Sequence, residues 1–488
     1  MLTSPRSIIG VLVAMVVLGA RSATPAATTA TPAPSPTTQA TSTTTTSAAP
    51  ADPLVGAWQG DLAGLEVQFT FALSEDGSYS GTFDSLTQGA IGFEVDQIVL
   101  ASGELSFTVP DIGAEFEGDV DGDTIEGFWS QAGVAGMRLD RTDDPVVFDR
   151  PQEPQPPYPY DIEEVAFRNP EDGFTLVGTL TKPSDGGPFP AAILISGSGL
   201  QNRDSEILGH KPFAVIADHL TRNGIAVLRY DDRSVGHSSG SAYGATTADF
   251  AIDAKAALEA LAVRPDIDAT RIGFIGHSEG GLIAPLAFTE GAEAAFIVTL
   301  AGPGEPGATL LPRQNRLIAE AGGQPEQLIT WQVELQEEAI AVLAEDPDDA
   351  AAGDRLWEVA MAAAESYPGG LSAEAAESVA ISLTSMTDPW WRFFLFHDPA
   401  PVLEQVDIPL LALNGTLDLQ VPVDNLEMIA AALTAGGNEG FETHALEGVN
   451  HLFQQATTGS PTEYALINET IDPAVLDLIT TWLTTTMA

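Results

Sequence analysis

The chain has 488 residues, too many for one ordinary domain and enough for two or three. With 44% hydrophobic residues it can fill a large core, which excludes global disorder. Asp and Glu number 69 against 19 Lys and Arg, a formal charge of −50, so nucleic-acid binding and docking on anionic lipid are excluded by repulsion. A salt-adapted proteome explains that excess of acid better than a specific cationic ligand does. The absence of Cys removes disulfides, thiolate chemistry and Cys-ligated metals.

Residues 1–22 read as an export signal. Arg6 precedes a thirteen-residue apolar run, Ile8 to Ala20, and small residues follow it. As a helix the run spans about 20 Å, short of the roughly 30 Å hydrocarbon core. Leu18-Gly19-Ala20 resembles the start of a lipoprotein box, but Arg21 stands where the lipidated Cys would be. The expectation is an exported protein, secreted or held at the cell envelope; an uncleaved signal anchor is the one route to a membrane. Residues 23–51 are almost wholly Thr, Ala, Pro and Ser and are expected to form a disordered linker.

Residues 52–145 are expected to form a small antiparallel β-barrel or sandwich. Val67, Phe69, Phe71 and Leu73 alternate with Gln68, Thr70 and Ala72, and Leu105, Phe107 and Val109 alternate with Ser106 and Thr108. Asp76-Gly77, Ser102-Gly103 and Asp121-Gly122 mark turns. Trp58, Phe128 and Trp129 are assigned to its core. The segment holds no His, which argues against acid–base chemistry there.

A Pro-rich linker, residues 146–159, precedes an α/β region, 160–488. Glu163–Arg168 and Thr175–Thr181 are expected as an antiparallel edge. Ala191–Ile195, Ile225–Leu228, Ile272–Ile275, Phe296–Leu300 and Ile408–Leu413 are short apolar runs, the pattern of strands buried on both faces of a parallel sheet. Phe250, Ala254, Ala257, Leu258 and Leu261 form one helical stripe opened by a Thr246-x-x-Asp249 capping signal. From about 303 to 400 the strand pattern stops, and an Ala-, Glu- and Leu-rich segment reads as a helical lid. Its breaks are Gly322-Gly323, Pro347 and Pro368.

Two Gly-x-Ser-x-Gly sequences compete for the chemistry. Gly236-His237-Ser238-Ser239-Gly240 enters a loop of small residues. Gly276-His277-Ser278-Glu279-Gly280 follows a strand and opens a helix, the setting that projects a serine hydroxyl above the sheet. Ser278 is therefore the candidate nucleophile, and Ser238 is assigned to a structural loop that Asp231-Asp232-Arg233 orders by ion pairs. A serine needs a base, and the order Ser, acid, His places the partners downstream. His451, in a loop after the strand-like run Phe441–Leu446, is preferred to His397 and His444. Asp418, in the loop after Ile408–Leu413, is preferred to Asp424, whose place in a first helical turn is explained by the helix dipole. Oxyanion donors are expected from the backbone N–H groups of Glu279 and of Ser198 in Ser196-Gly197-Ser198-Gly199. The Glu279 side chain is read as a surface residue or the partner of an Arg. Trp390 and Trp391, in an aromatic cluster before the chain re-enters the sheet, are candidate acyl-site residues, with anchoring of the insertion as the simpler role. No phosphate-loop, metalloprotease or dinucleotide motif is present, so neither metal nor cofactor is expected.

Residues 160–488 resemble the bacterial α/β-hydrolase carboxylesterases of the serine aminopeptidase and lysophospholipase-like branch. The resemblance rests on Ser196–Asp204, Gly209–Phe213, Arg229–Arg233, Ile275–Gly281, Leu413–Gly415 with Asp418, and Asn450–Phe453. It implies the triad Ser278, Asp418 and His451 and a small-molecule ester substrate with small to medium acyl chains. Ser234 departs from the Gly usual there. The β-region is similar to a module that often precedes such a domain, which implies nothing about its role. A peptidase on the same fold and an idle, cell-envelope binding protein are the alternative functions.

Overall fold

The computed structural model describes residues 52–488 apart from Ala63, Glu75, Gln88, Gly89, Ala132 and Gly133. The export signal and the Thr-rich linker lie outside the described residues. The chain divides between Val147 and Phe148 into two compact units.

The first unit is a closed antiparallel barrel. Its strands run in chain order: β1 (Gly56–Leu62), β2 (Leu65–Leu73), β3 (Tyr79–Ser85), β4 (Ala90–Ala101), β5 (Glu104–Val109), β6 (Ala114–Asp121), β7 (Thr124–Ser130) and β8 (Val134–Thr142), which pairs back onto β1. Alternation points Val67, Phe69 and Phe71 of β2 inward, with Leu105 and Phe107 of β5. Phe69 lies 4.8 Å from Phe83, 5.3 Å from Phe107 and 6.1 Å from Trp129 between ring centres. Aromatic rings thus fill the interior. Trp58 and Trp129 belong to this core, but Phe128 does not: it is 65% exposed. On β7, Ile125 and Trp129 face in, so period 2 turns their neighbour Phe128 outward.

The second unit is built on an eight-stranded sheet: β9 (Tyr160–Arg168), β10 (Thr175–Pro183), β11 (Phe189–Ile195), β12 (Ala226–Tyr230), β13 (Ile267–His277), β14 (Ile297–Leu300), β15 (Leu410–Gly415) and β16 (Phe441–Leu446). The spatial order is β16-β15-β14-β13-β11-β12-β10-β9. From β16 to β12 every pairing is parallel, while β10 is antiparallel to both β12 and β9. The expected antiparallel edge is thus found.

Helices α1 (Pro212–Arg222), α2 (Thr247–Ala262) and α3 (Gly280–Thr289) cover the sheet. At the start of α2 the Thr246 amide and hydroxyl both donate to the Asp249 carboxylate, each at 2.7 Å, which closes the expected cap. Between β14 and β15 the chain inserts α4 (Gly307–Ala321), α5 (Glu326–Glu345), α6 (Asp349–Ser366), α7 (Ala373–Thr384), α8 (Pro389–Phe396) and α9 (Ala400–Leu403). The breaks read from Gly322-Gly323, Pro347 and Pro368 fall at the joints between α4, α5, α6 and α7. Helices α10 (Asn425–Gly436) and α11 (Pro473–Thr486) complete the unit. Helix α10 begins at Asn425, three residues after Pro422. None of the described helices is long and apolar enough to cross a membrane.

The barrel core sets a test. Phe69→Ala should destabilise that unit by about 3–5 kcal/mol, because the ring cannot be replaced without a cavity. Phe128→Ala should change stability by no more than about 0.5 kcal/mol, as is usual at exposed positions. Denaturant unfolding followed by circular dichroism measures both, and equal effects would contradict the inward–outward assignment.

Candidate active site

The loops at the carboxyl ends of the parallel strands bring the candidate residues together, as open α/β sheets generally do. Ser278 sits in the turn from β13 to α3 with φ +54°, a left-handed conformation that is costly for a residue with a Cβ. Hydrogen bonds hold it there: the Ser278 amide donates to the Leu300 carbonyl at 2.8 Å, and the Gly281 amide to the Ser278 carbonyl at 2.8 Å. Glycines are required on either side by close approach. A Cβ at Gly276 would stand 2.0 Å from the Gly280 carbonyl oxygen, and one at Gly280 would stand 2.3 Å from the Ile195 carbonyl oxygen.

His451 and Asp418 are both buried. His451 Nδ1 lies 2.8 Å from Asp418 Oδ2. Asp418 Oδ1 accepts the amides of Gln420 at 2.8 Å and Val421 at 2.9 Å, so the carboxylate is fixed within its own loop. With Nδ1–H given to Asp418, Nε2 of His451 is left as the acceptor. Asn450 knits the His451 loop: its Oδ1 accepts the amides of Leu452 and Gln454, each at 3.0 Å. His277, beside Ser278, donates from Nε2 to the His451 carbonyl at 2.9 Å, and the two imidazoles lie 4.9 Å apart between centres. Burial, with His451 close by, lowers the His277 pKa to about 3, so it stays a neutral donor.

The loop after β11 passes over the nucleophile. A methyl group at Gly197 would stand 3.5 Å from Ser278 Oγ. Two consecutive carboxylates after β12 secure this loop. Asp232 accepts the Gln201 amide at 2.8 Å and the Ser196 hydroxyl at 3.1 Å. Asp231 accepts the Arg203 amide at 2.8 Å and its guanidinium in bidentate fashion. Arg233 pairs with Asp253 of α2 at 2.8 Å. The ion pairs of the 231–233 segment therefore reach outward to other elements, where the sequence suggested a loop ordering itself. Ser238 belongs to this scaffold, donating to the Asp231 carbonyl at 2.7 Å and accepting the Val177 amide at 2.9 Å.

Two residues, Glu279 and Asp424, stand otherwise than the sequence suggested. Glu279 is buried, and in place of an Arg its carboxylate accepts the Thr247 hydroxyl at 2.7 Å and the Trp390 indole at 2.8 Å. Burial raises the proton affinity of this carboxylate, and the nearby Ser198 hydroxyl works against that rise. Asp424 is held by Arg313, at 2.6 Å and 2.9 Å, and not by a helix dipole alone. Arg313 also bonds Glu305. Trp390 is buried against Trp391 and stacks on Phe394 at 5.2 Å. His397 stacks on Phe393, and His444 lies on β16 beside Glu442, both outside the Asp418–His451 pair. The tandem Asp231-Asp232 and Glu279 are visible in the sequence, but nothing there reveals which distant donors become their partners.

No group of His, Cys, Asp and Glu among the described residues could hold a metal ion. The chemistry available is that of a serine, an imidazole and a carboxylate at the end of a parallel sheet.

The chain is similar to several known proteins. A model of the alpha/beta hydrolase family matches residues 192–465. The curated esterase EstD of Thermotoga maritima is 26% identical over 311 residues, 63% of this chain; the chain spans 65% of that protein's length. Among solved structures, the Pyrococcus furiosus esterase Pf2001 is 16% identical, with a TM-score of 0.43 over 71% of this chain and 100% of its own. The esterase RhEst1 of a Rhodococcus species is 18% identical, with a TM-score of 0.37 over 67% of this chain and 99% of its own.

A second buried histidine supports these loops and titrates in a useful range. His210 Nε2 donates to the Tyr464 carbonyl at 2.9 Å and Nδ1 accepts the Thr470 hydroxyl at 2.9 Å. Tyr464 in turn meets Gln420 of the Asp418 loop at 3.1 Å. Burial, with Arg150 nearby, lowers the His210 pKa to about 4. Its folded-state affinity for a proton is below the unfolded one, so its stability is fully present above about pH 6.5 and lost as pH falls toward 4. Buried carboxylates act in the opposite sense, so the effect is read by difference. The stability advantage of wild type over His210→Gln should shrink by about 1–2 kcal/mol between pH 7 and pH 5. Denaturant titrations at the two pH values measure it; an unchanged gap would exclude a neutral buried His210.

Proposed function

The chain belongs to the alpha/beta hydrolase family, and on that footing we propose that it is a serine carboxylesterase acting on esters of small to medium acyl chains. The observation that carries the reading is the buried Asp418–His451 hydrogen bond, set beside a serine in a left-handed strand-to-helix turn. In the proposed mechanism Ser278 Oγ attacks the ester carbonyl carbon while His451 Nε2 takes its proton. Asp418 holds the imidazole by Nδ1–H and stabilises its cationic form. The oxyanion is received by the backbone N–H groups of Glu279 and Ser198. His451 then passes the proton to the departing alkoxide, leaving an acyl-enzyme. Water, deprotonated by the same imidazole, attacks the acyl carbon and restores Ser278 with release of the acid.

The esterase reading also draws on the likeness to EstD. The basic start and apolar run of residues 6–20 support export. For the acyl site we propose Trp391 and Trp390, the latter tied to the turn through Glu279.

The test is covalent labelling by a fluorophosphonate together with turnover of p-nitrophenyl esters and aminoacyl-nitroanilides. Wild type should be labelled at Ser278 and should prefer the esters. Ser278→Ala should lose activity on the order of 10⁶-fold. Ser238→Ala should keep activity within about ten-fold, since its hydroxyl serves only the backbone. Preference for the anilides would turn the assignment to a peptidase, and a Ser278→Ala protein with full activity would overturn the nucleophile. Trp391→Ala should lower kcat/KM more for octanoyl than for acetyl esters, since each buried methylene contributes about 0.8 kcal/mol. Equal losses at both lengths would leave Trp391 as an anchor only.

A further inference from the structure

The loop of residues 196–201, which carries the Ser198 amide as the proposed second oxyanion donor, belongs to no helix or strand. Its glycines leave that amide without conformational preference of its own. Something else must aim it. Asp232 closes the loop at both ends: its carboxylate accepts the Ser196 hydroxyl at 3.1 Å and the Gln201 amide at 2.8 Å, while its own amide donates to the Gln201 carbonyl at 3.1 Å. Glu279 faces the middle, where the nearby Ser198 hydroxyl favours its ionised form. Glu279 is in turn anchored by Thr247 of α2 and Trp390 of α8. Both acids are nearly inaccessible, at 6% and 3% exposure.

We propose that Asp232 and Glu279 are positioning residues, which clamp the loop 196–201 and so aim the Ser198 amide at the oxyanion. The inference rests on the serine-hydrolase reading and adds the groups that make its second donor preorganised. Preorganisation matters because a donor misplaced by a fraction of an ångström loses much of its effect on the transition state. Two ionised carboxylates near a forming oxyanion would oppose it. Burial counters this by raising the proton affinity of both, taking Asp232 to a pKa of about 7, with Asp253 and Glu279 adding to the shift.

The experiment compares kcat, KM and melting temperature on p-nitrophenyl butyrate for Asp232→Ala, Asp232→Asn, Glu279→Ala, Glu279→Gln and Ser196→Ala. The Ala variants at 232 and 279 should lose about 10–100-fold in kcat with KM changed less than about 3-fold, the pattern of a contact felt only in the transition state. The Asn and Gln variants should regain most of kcat, because an amide oxygen still accepts and the serine hydroxyls can reverse their role. Ser196→Ala removes one hydroxyl and should lower kcat about 3–10-fold at an unchanged melting temperature. In Asp232→Ala plus Ser196→Ala the losses should fall short of the product of the single ones, as expected for two groups of one contact. Lowered melting temperatures with kcat intact, or Asn and Gln variants no better than Ala, would overturn the proposal. Fluorophosphonate labelling of wild type separates the two readings: a labelled wild type with unaffected variants sinks only the clamp, whereas an unlabelled wild type sinks the serine-hydrolase reading beneath it.

Discussion

The room left around Ser278 is so small that the surrounding backbones have almost no alternative paths. A Cβ at Gly276 or Gly280 would stand only 2.0–2.3 Å from a carbonyl oxygen, and Gly197 of the loop after β11 packs close to Ser278. A left-handed serine is unfavourable by itself and persists only because neighbouring strands over-determine it. The hydrogen bond from the Ser278 amide to the Leu300 carbonyl ties the turn to β14, and His277 ties it to the His451 loop. Sheet, Ser278 and the His451 loop therefore share one rigid frame, and fixed dipoles of this kind are what preorganised electrostatics requires.

Charge is arranged with similar economy. Cations are scarce, 19 against 69 acids, and several arginines each hold a specific joint. Arg203 joins the loops after β11 and β12, Arg233 joins the latter to α2, and Arg313 joins Glu305 at the start of the helical insertion to Asp424 before α10. Asp232 and Glu279 accept hydrogen bonds from neutral donors: an amide, hydroxyls and an indole. Neutral donors satisfy a buried carboxylate only in part, and its proton affinity rises accordingly. This places polarisable, weakly charged groups near the candidate oxyanion site.

The fold was largely legible because its signals are local. The alternation on β2 and β5, the apolar runs of β11 to β15, and the cap at Thr246 each follow from the period of a strand or a helix. Phe128 was not legible: its neighbour Trp129 is equally aromatic, and only the register against β6 and β8 tells which faces the barrel interior. Asp424 was taken for a dipole partner because the sequence distance to Arg313 is 111 residues.

The sequence by itself determined the elements and the chemistry on offer, since strand and helix periods, the strand-Gly-x-Ser-x-Gly-helix pattern and the Ser, Asp, His order are all properties of neighbouring residues. Only the tertiary structure decided which groups share a hydrogen bond. Asp418 and His451 are 33 residues apart, Glu279 and Trp390 are 111 apart, and Asp232 and Ser196 are 36 apart. The first and last pairs meet because parallel strands return their carboxyl ends to one edge of the sheet, and Glu279 meets Trp390 through the helical insertion between β14 and β15. A carboxylate reads the same in the sequence whether that return leaves it in water or buries it among donors.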